Sequence, residues 1–279
     1  MEYKYHPETK EELKELVKDE SIYLGDIDTS NITDMNHLFH KSTRRDFSGI
    51  EKWDTSNVTN MSGMFFECEK FNQPVPFDTS KVTHMSWMFF GCHEFNQPLE
   101  FDTSNVENMH VMFAYCHKFN QPLEFDTSKV KDMGMMFFEC EKFNQPVPFD
   151  TSNVKNMLGM FEGCKEFNQP LKFDTSNVTG RREMFIGCHN LPLATQAKVE
   201  LGISDVTRGE PGIALKDAKV LKVSDNYTAL KKGDDTYVYS NDQLHSITRL
   251  IRGEFINLSW PEGAPTATVT PVPAQKLAL

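Results

Sequence analysis

Apolar positions recur along this chain with a fixed beat. In "DTSNVTNMSGMFFECEKFNQPVPF" (54–77), Val58, Met61, Met64, Phe65 and Cys68 are spaced 3, 3, 1 and 3, the stripe of one helix face. Asp54, Thr55 and Ser56 precede the stripe and are of the types that cap helix starts. The pattern predicts about three turns of helix from near 57 to 67. After it, Phe71, Gln73, Val75 and Phe77 alternate with Asn72, Pro74, Pro76 and Asp78, the period-two signature of a short strand.

The unit then repeats. Asp54, Asp78, Asp102, Asp126, Asp150 and Asp174 are spaced by 24, and Asp28 precedes them by 26. Sixteen residues, "FFECEKFNQPVPFDTS", are identical at 65–80 and 137–152. A helix followed by a strand at every repeat predicts an α/β solenoid, in which each unit buries its apolar side only by stacking on its neighbours. The Met column (Met61, Met85, Met109, Met133, Met157) and the Phe column (Phe65, Phe89, Phe113, Phe137, Phe161, Phe185) are its expected core. The amides of Gln73, Gln97, Gln121, Gln145 and Gln169 fall on the inward face of the alternation and are expected to bond along the stack.

The ends need caps. Residues 7–19 carry Leu13, Leu16 and Val17 on one helical side, and "SIYLGDI" (21–27) reads as a first strand. The expected division is a cap over 1–26, about seven repeats over 27–194, a small β-rich or α+β domain over 195–260, and a disordered tail over 261–279. In the third of these, "AKVLKV", "DTYVYS" and "TRLIRGEFINLSW" read as strands around Gly and Asp turns.

Charge narrows the functional classes. The 279 residues hold 40 acidic and 29 basic side chains, a net charge of −11, which argues against nucleic acid as a partner. The N-terminal stretch "MEYKYHPETKEELKELV" lacks the basic start and apolar run of a secretory signal. No apolar run approaches the roughly 18 residues needed to span a bilayer, so membrane insertion is not expected. As written the chain is expected in the cytoplasm, or at the cell surface or secreted if a leader has been removed.

The motif V-x-x-M-x-x-M-F-x-x-C-x-x-F-N-Q-P-L followed by F-D-T-S, carried by "NVTNMSGMFFECEKFNQPVPFDTS", resembles the repeat of mycoplasma-lipoprotein-type surface proteins, a branch of the BspA-like leucine-rich repeats. The resemblance covers about 27–194. It implies a right-handed, leucine-rich-repeat-like solenoid and a role in binding or adhesion, often to host proteins or other cells. It brings no catalytic residues, and no cofactor or metal is expected.

The residues that could carry chemistry fall in columns along the repeats. Cys68, Cys92, Cys116, Cys140, Cys164 and Cys188 are equivalents related by translation. They are expected as buried free thiols, because translated side chains point the same way and not at each other. His93, His117 and His189 share a column with Glu69, Glu141 and Lys165, which favours a solvated position over a metal site. A partner is expected on one of two faces. One is the Asn column, Asn72, Asn96, Asn120, Asn144 and Asn168, beside the variable column Pro76, Glu100, Glu124, Pro148 and Lys172; the Asn column reads equally well as a structural ladder. The other is an outward stripe of Trp87, Val111 and Met135, with Phe90 and Phe138 nearby. The reading is a non-enzymatic protein-binding repeat protein. Its alternative is an enzyme or ligand-binding module within 195–260, where Asp225, Asp234, Asp235, His245 and Arg249 are the polar candidates.

Overall fold

The computed structural model describes residues 3–202, 207–208, 215–223, 227–244, 252, 254–260 and 266–272. The chain divides into two compact units, Met1–Leu191 and Pro192–Leu279.

The N-terminal unit is a stack of coils made of turns. Among its described residues it holds one α-helix, α1 (Lys10–Lys18), two 3-10 turns (Leu24–Asp26 and Ile50–Lys52) and no strand. The expected α/β architecture, a right-handed leucine-rich-repeat-like solenoid of helix–strand coils, is therefore overturned. The reason lies in where the backbone N–H groups go. An α-helix needs each of them on the carbonyl four residues back. Here Met61, Gly63, Phe65 and Glu67 donate to the carbonyls of His84, Ser86, Met88 and Phe90 in the next coil, at 2.7–3.0 Å. The residues between them close tight turns, Met64 to Met61, Phe66 to Gly63 and Cys68 to Phe65.

This alternation requires left-handed backbone at the third position of two of these turns. Gly63 (φ 61°) and Glu67 (φ 55°) supply it. The equivalents Trp87, Val111, Met135 and Glu183 adopt the same conformation, with φ of 53–62°. For a β-branched residue such as Val111 that conformation is strained, and the bonds to the neighbouring coil hold it there.

The segment expected as a strand forms no ladder. Pro74 and Pro76 have no N–H to give, and Phe77 bonds locally to the Val75 carbonyl. The parallel bridges fall elsewhere, in one file through Asp34, Asn60, His84, Asn108, Asp132, Asn156 and Gly180. "SIYLGDI" likewise forms a 3-10 turn and one bridge, Tyr5 to Ile27, instead of a strand.

Two aromatic files run down the interior. Phe39, Phe65, Phe89, Phe113, Phe137, Phe161 and Phe185 stack at centroid distances of 5.4–5.9 Å. Phe71, Phe95, Phe119, Phe143 and Phe167 stack beside them at 5.8–6.0 Å. Burying each of these large side chains contributes about 1.5–3 kcal/mol before entropy. The Met and Val columns fill the remaining interior.

The D-T-S motif divides its labour differently from a helix cap. Each Asp accepts the N–H of the Ser two residues on, as Asp54 does from Ser56 at 3.0 Å. From Thr29 to Thr151 the buried Thr hydroxyl donates to the Asp carbonyl of the next coil: Thr29 to Asp54, Thr55 to Asp78, Thr79 to Asp102, Thr103 to Asp126, Thr127 to Asp150 and Thr151 to Asp174. The Asp shapes the turn, and the Thr ties coil to coil. In the last coil Arg181 replaces the core Met, and its guanidinium reaches the Thr175 hydroxyl and carbonyl.

The irregular first spacing has a structural cause. Ser42 occupies the Cys68 position and Phe47 the Phe71 position, so four residues lie between them where two suffice elsewhere. The extra length carries Arg44, which is 4 % exposed. Its guanidinium donates to the carbonyls of Val17, Asp19, Ile22 and Asp46. It thus satisfies acceptors where α1 ends and fixes that helix to the first coils. Leu13 and Val17 of α1 are buried, and Thr9 caps its start by accepting from the Glu12 N–H at 3.2 Å.

The C-terminal unit contains α2 (Leu193–Leu201) and six strands: β1 (Thr207–Arg208), β2 (Leu215–Val223), β3 (Tyr227–Lys232), β4 (Asp235–Ser240), β5 (Phe255–Ser259) and β6 (Thr268–Pro271). The sheet order is β1-β4-β3-β2-β5-β6, with β1 parallel to β4 and the other neighbours antiparallel. Ala197 and Leu201 of α2 pack with Tyr227, Ala229 and Val238, while Leu230, Tyr239, Ile256 and Leu258 belong to a second cluster. Strand β6 lies inside the segment expected to be a disordered tail, which corrects that expectation for 268–271; 261–265 and 273–279 lie outside the described residues.

Arg44→Ala is expected to destabilise the N-terminal unit by about 3 kcal/mol, since several buried carbonyls lose a charged donor at once. A denaturant midpoint shift between wild type and variant checks this.

Candidate interaction surface

The Asn column is a hydrogen-bond ladder. The Asn72 side-chain carbonyl accepts the backbone N–H of Asn96 at 3.0 Å and the Gln97 amide at 3.1 Å. Asn96 does the same for Asn120 and Gln121, Asn120 for Asn144 and Gln145, and Asn144 for Asn168 and Gln169. The side chains of Gln97, Gln121, Gln145 and Gln169 are thus half-buried surface ties and not inward ones, and Gln73 is exposed. The adjoining column is different. Pro76, Glu100, Glu124, Pro148 and Lys172 are all exposed, and their side chains change sign and shape from coil to coil over a backbone that does not.

The stripe expected to face water does so only in part. Val111 is 2 % exposed, while Trp87 and Met135 are half-buried. The residues presented beside them are aromatic. His40, Phe66, Phe90, Tyr115 and Phe138, all at least partly accessible, form a file with successive centroids 4.8, 4.7, 5.4 and 5.2 Å apart. Trp87 lies against Phe66 and Phe90 at 5.9 and 5.2 Å. Where the column carries the small buried Ala114, Tyr115 from the next position fills the place. Ile186, 46 % exposed, continues the same column. Sequence periodicity misses this file because Ala114 and Glu162 interrupt it and a helical reading splits Phe66 from Tyr115.

All six cysteines are free and buried. Each thiol donates to the carbonyl of a phenylalanine one coil back: Cys68 to Phe39, Cys92 to Phe65, Cys116 to Phe89, Cys140 to Phe113, Cys164 to Phe137 and Cys188 to Phe161, at 2.9–3.1 Å. Burial pushes the Cys68 and Cys188 thiols up to about 12, and the other four are raised as well. His93 and His117 lie with ring centroids 4.8 Å apart, but His117 spends Nδ1 on the Glu139 carbonyl at 3.0 Å. Among the described residues no group of three or more His, Cys, Asp or Glu is placed to hold a metal, and no helix is long and apolar enough to cross a membrane. Of the polar residues singled out in the C-terminal unit, Asp234 and Asp235 are exposed at the β3–β4 turn. Asp225, His245 and Arg249 lie outside the described residues.

Asn120→Ala removes an acceptor used twice and is expected to cost about 2 kcal/mol, whereas Glu124→Ala leaves the denaturation midpoint unchanged. The thiols set an alkaline limit. They titrate from about 9 in the unfolded chain but only near 12 at Cys68 and Cys188 in the fold, so their stabilising contribution is complete below pH 9 and is lost through pH 12. Over that window stability is expected to fall by about 1.4 kcal/mol per pH unit for each buried thiol. A Cys140→Ala variant with a shallower slope checks this in alkaline denaturation curves.

A family model described as a Mycoplasma protein of unknown function, DUF285, matches residues 11–123 and again 99–197. No curated protein and no solved structure matches the chain.

Proposed function

We propose that this chain, which belongs to the family described as Mycoplasma proteins of unknown function, DUF285, is a non-enzymatic repeat protein that binds a protein partner across several coils. The observation that carries this reading is the contrast between columns. The Phe, Thr, Cys and Asn columns are nearly invariant along the stack and are consumed in coil-to-coil ties. The exposed column of Pro76, Glu100, Glu124, Pro148 and Lys172 varies.

A scaffold that repeats at about 4.8 Å while its exposed side chains differ gives a partner a ruler with distinct marks. Binding then rests on shape and charge complementarity over several coils. Glu100 and Glu124 make the centre of the column acidic, with Lys172 at one end. The partner fitting this face is a protein bearing a basic strip, of the kind displayed on a host or neighbouring cell.

The test is binding of the full chain to a panel of purified extracellular proteins. Glu100→Lys with Glu124→Lys is expected to weaken capture at least tenfold while the melting temperature holds. Unchanged capture by that variant places the contact elsewhere, and no capture by wild type overturns the reading.

A further inference from the structure

A groove opens beside the N-terminal helix, outside the repeat columns. It has a volume of about 650 Å³ and runs between residues 4–7, one side of α1 and residues 19–22. Its floor is apolar: Tyr5, Leu16 and Ile22 are half-buried and Pro7 is buried. Both walls are held in place by bonds within the unit. The N–H groups of Lys4 and Tyr5 reach the Asp26 carbonyl, and the Tyr5 carbonyl accepts from Asp28. On the other side Arg44 holds the carbonyls of Val17, Asp19 and Ile22.

Glu12, Leu16 and Asp19 follow one another at spacings of 4 and 3, along one face of the helix. Seven residues of helical rise set the two carboxylates about 10.5 Å apart along the axis, with the leucine between them. Each has one oxygen without a hydrogen bond among the described residues. Glu12 accepts the Glu8 N–H through Oε2, at 2.7 Å. Asp19 takes both the N–H and the hydroxyl of Ser21 on Oδ1, at 2.9 and 2.6 Å. Those bonds, and then the charge of Arg44 behind, hold the Asp19 carboxyl below the usual carboxylate range. Neither Glu12 nor Asp19 forms an ion pair among the described residues. The other charges lining the groove are matched: Lys4 by Asp26 and Glu15 by Lys18, while His6 lies 3.3 Å from Asp28.

We propose that the groove binds a small molecule with a cation at each end of an apolar chain, in its simplest form a long-chain diamine. One ammonium meets Glu12 Oε1, the other meets Asp19 Oδ2, and the chain between them lies on Leu16, Ile22 and Tyr5. Eight methylenes put the two nitrogens about 11 Å apart, which matches the helical spacing. The volume is that of a site for one small ligand. An extended peptide would need main-chain partners, and the Lys4 and Tyr5 N–H groups and the Asp19 and Ile22 carbonyls are already bonded. The site is independent of the variable column proposed above for a protein partner.

Isothermal titration calorimetry of the full chain tests this, with diaminooctane as the probe. Diaminooctane is expected to bind with a Kd below about 1 mM, and more weakly as salt rises. Octylamine, with one cation, and diaminobutane, too short to span, are expected to bind at least tenfold more weakly. Glu12→Gln with Asp19→Asn is expected to weaken diaminooctane at least tenfold. The melting temperature holds, since each amide oxygen can still accept from Glu8 or Ser21. Absence of binding by wild type up to about 10 mM overturns the proposal. So does octylamine binding as tightly as diaminooctane. Binding that the double variant leaves intact also overturns it, because the diamine then sits on other carboxylates of this acidic chain.

Discussion

Every second N–H between Met61 and Glu67 is given to the next coil, and the rest of the N-terminal unit depends on that gift. It forbids the α-helix, because the same donors cannot also reach four residues back. It fixes the separation of coils at one hydrogen-bond step, which places equivalent phenylalanines within stacking distance and equivalent thiols within reach of the carbonyl one coil behind. It also imposes left-handed backbone at two positions per coil, so the turns and the bonds between coils stand or fall together.

Around that frame, the Thr, Asn and Cys columns are each bonded to the coil beside them. Thr55 ties through its hydroxyl to Asp78, Asn72 through its amide oxygen to Asn96 and Gln97, and Cys92 through its thiol to Phe65. Few of these bonds is worth more than about 1 kcal/mol alone. Repeated along the stack, they resist slippage by a residue, since a shift in any one column would break all of them. What the surface retains for other uses includes the variable column of Pro76, Glu100, Glu124, Pro148 and Lys172 and the aromatic file.

The period, the membership of the apolar columns and the N-terminal helix were legible in the sequence, and so were strands in "AKVLKV" and "DTYVYS", which lie within β2 and β4. The conformation of the coil was not. A spacing of 3, 3, 1 and 3 suits turns closed three residues back as well as it suits a helix. The deciding signal, left-handed glycine, is diluted by Trp87, Val111, Met135 and Glu183 at the equivalent places. Asp-Thr-Ser reads as a helix cap because Asp makes the same bond to a nearby N–H in either setting. Arg44 had a visible trace, the spacing of 26 in place of 24, but an insertion does not announce that it carries a plug.

The sixteen residues shared by 65–80 and 137–152 have a consequence at the level of the gene. Such a pair invites unequal crossing-over, and the product would lose or gain three whole coils without a seam, since each coil touches only its neighbours and the junction sequence is unchanged. The length of this protein is therefore a quantity that heredity can adjust in steps of 72 residues while leaving the architecture of what remains untouched.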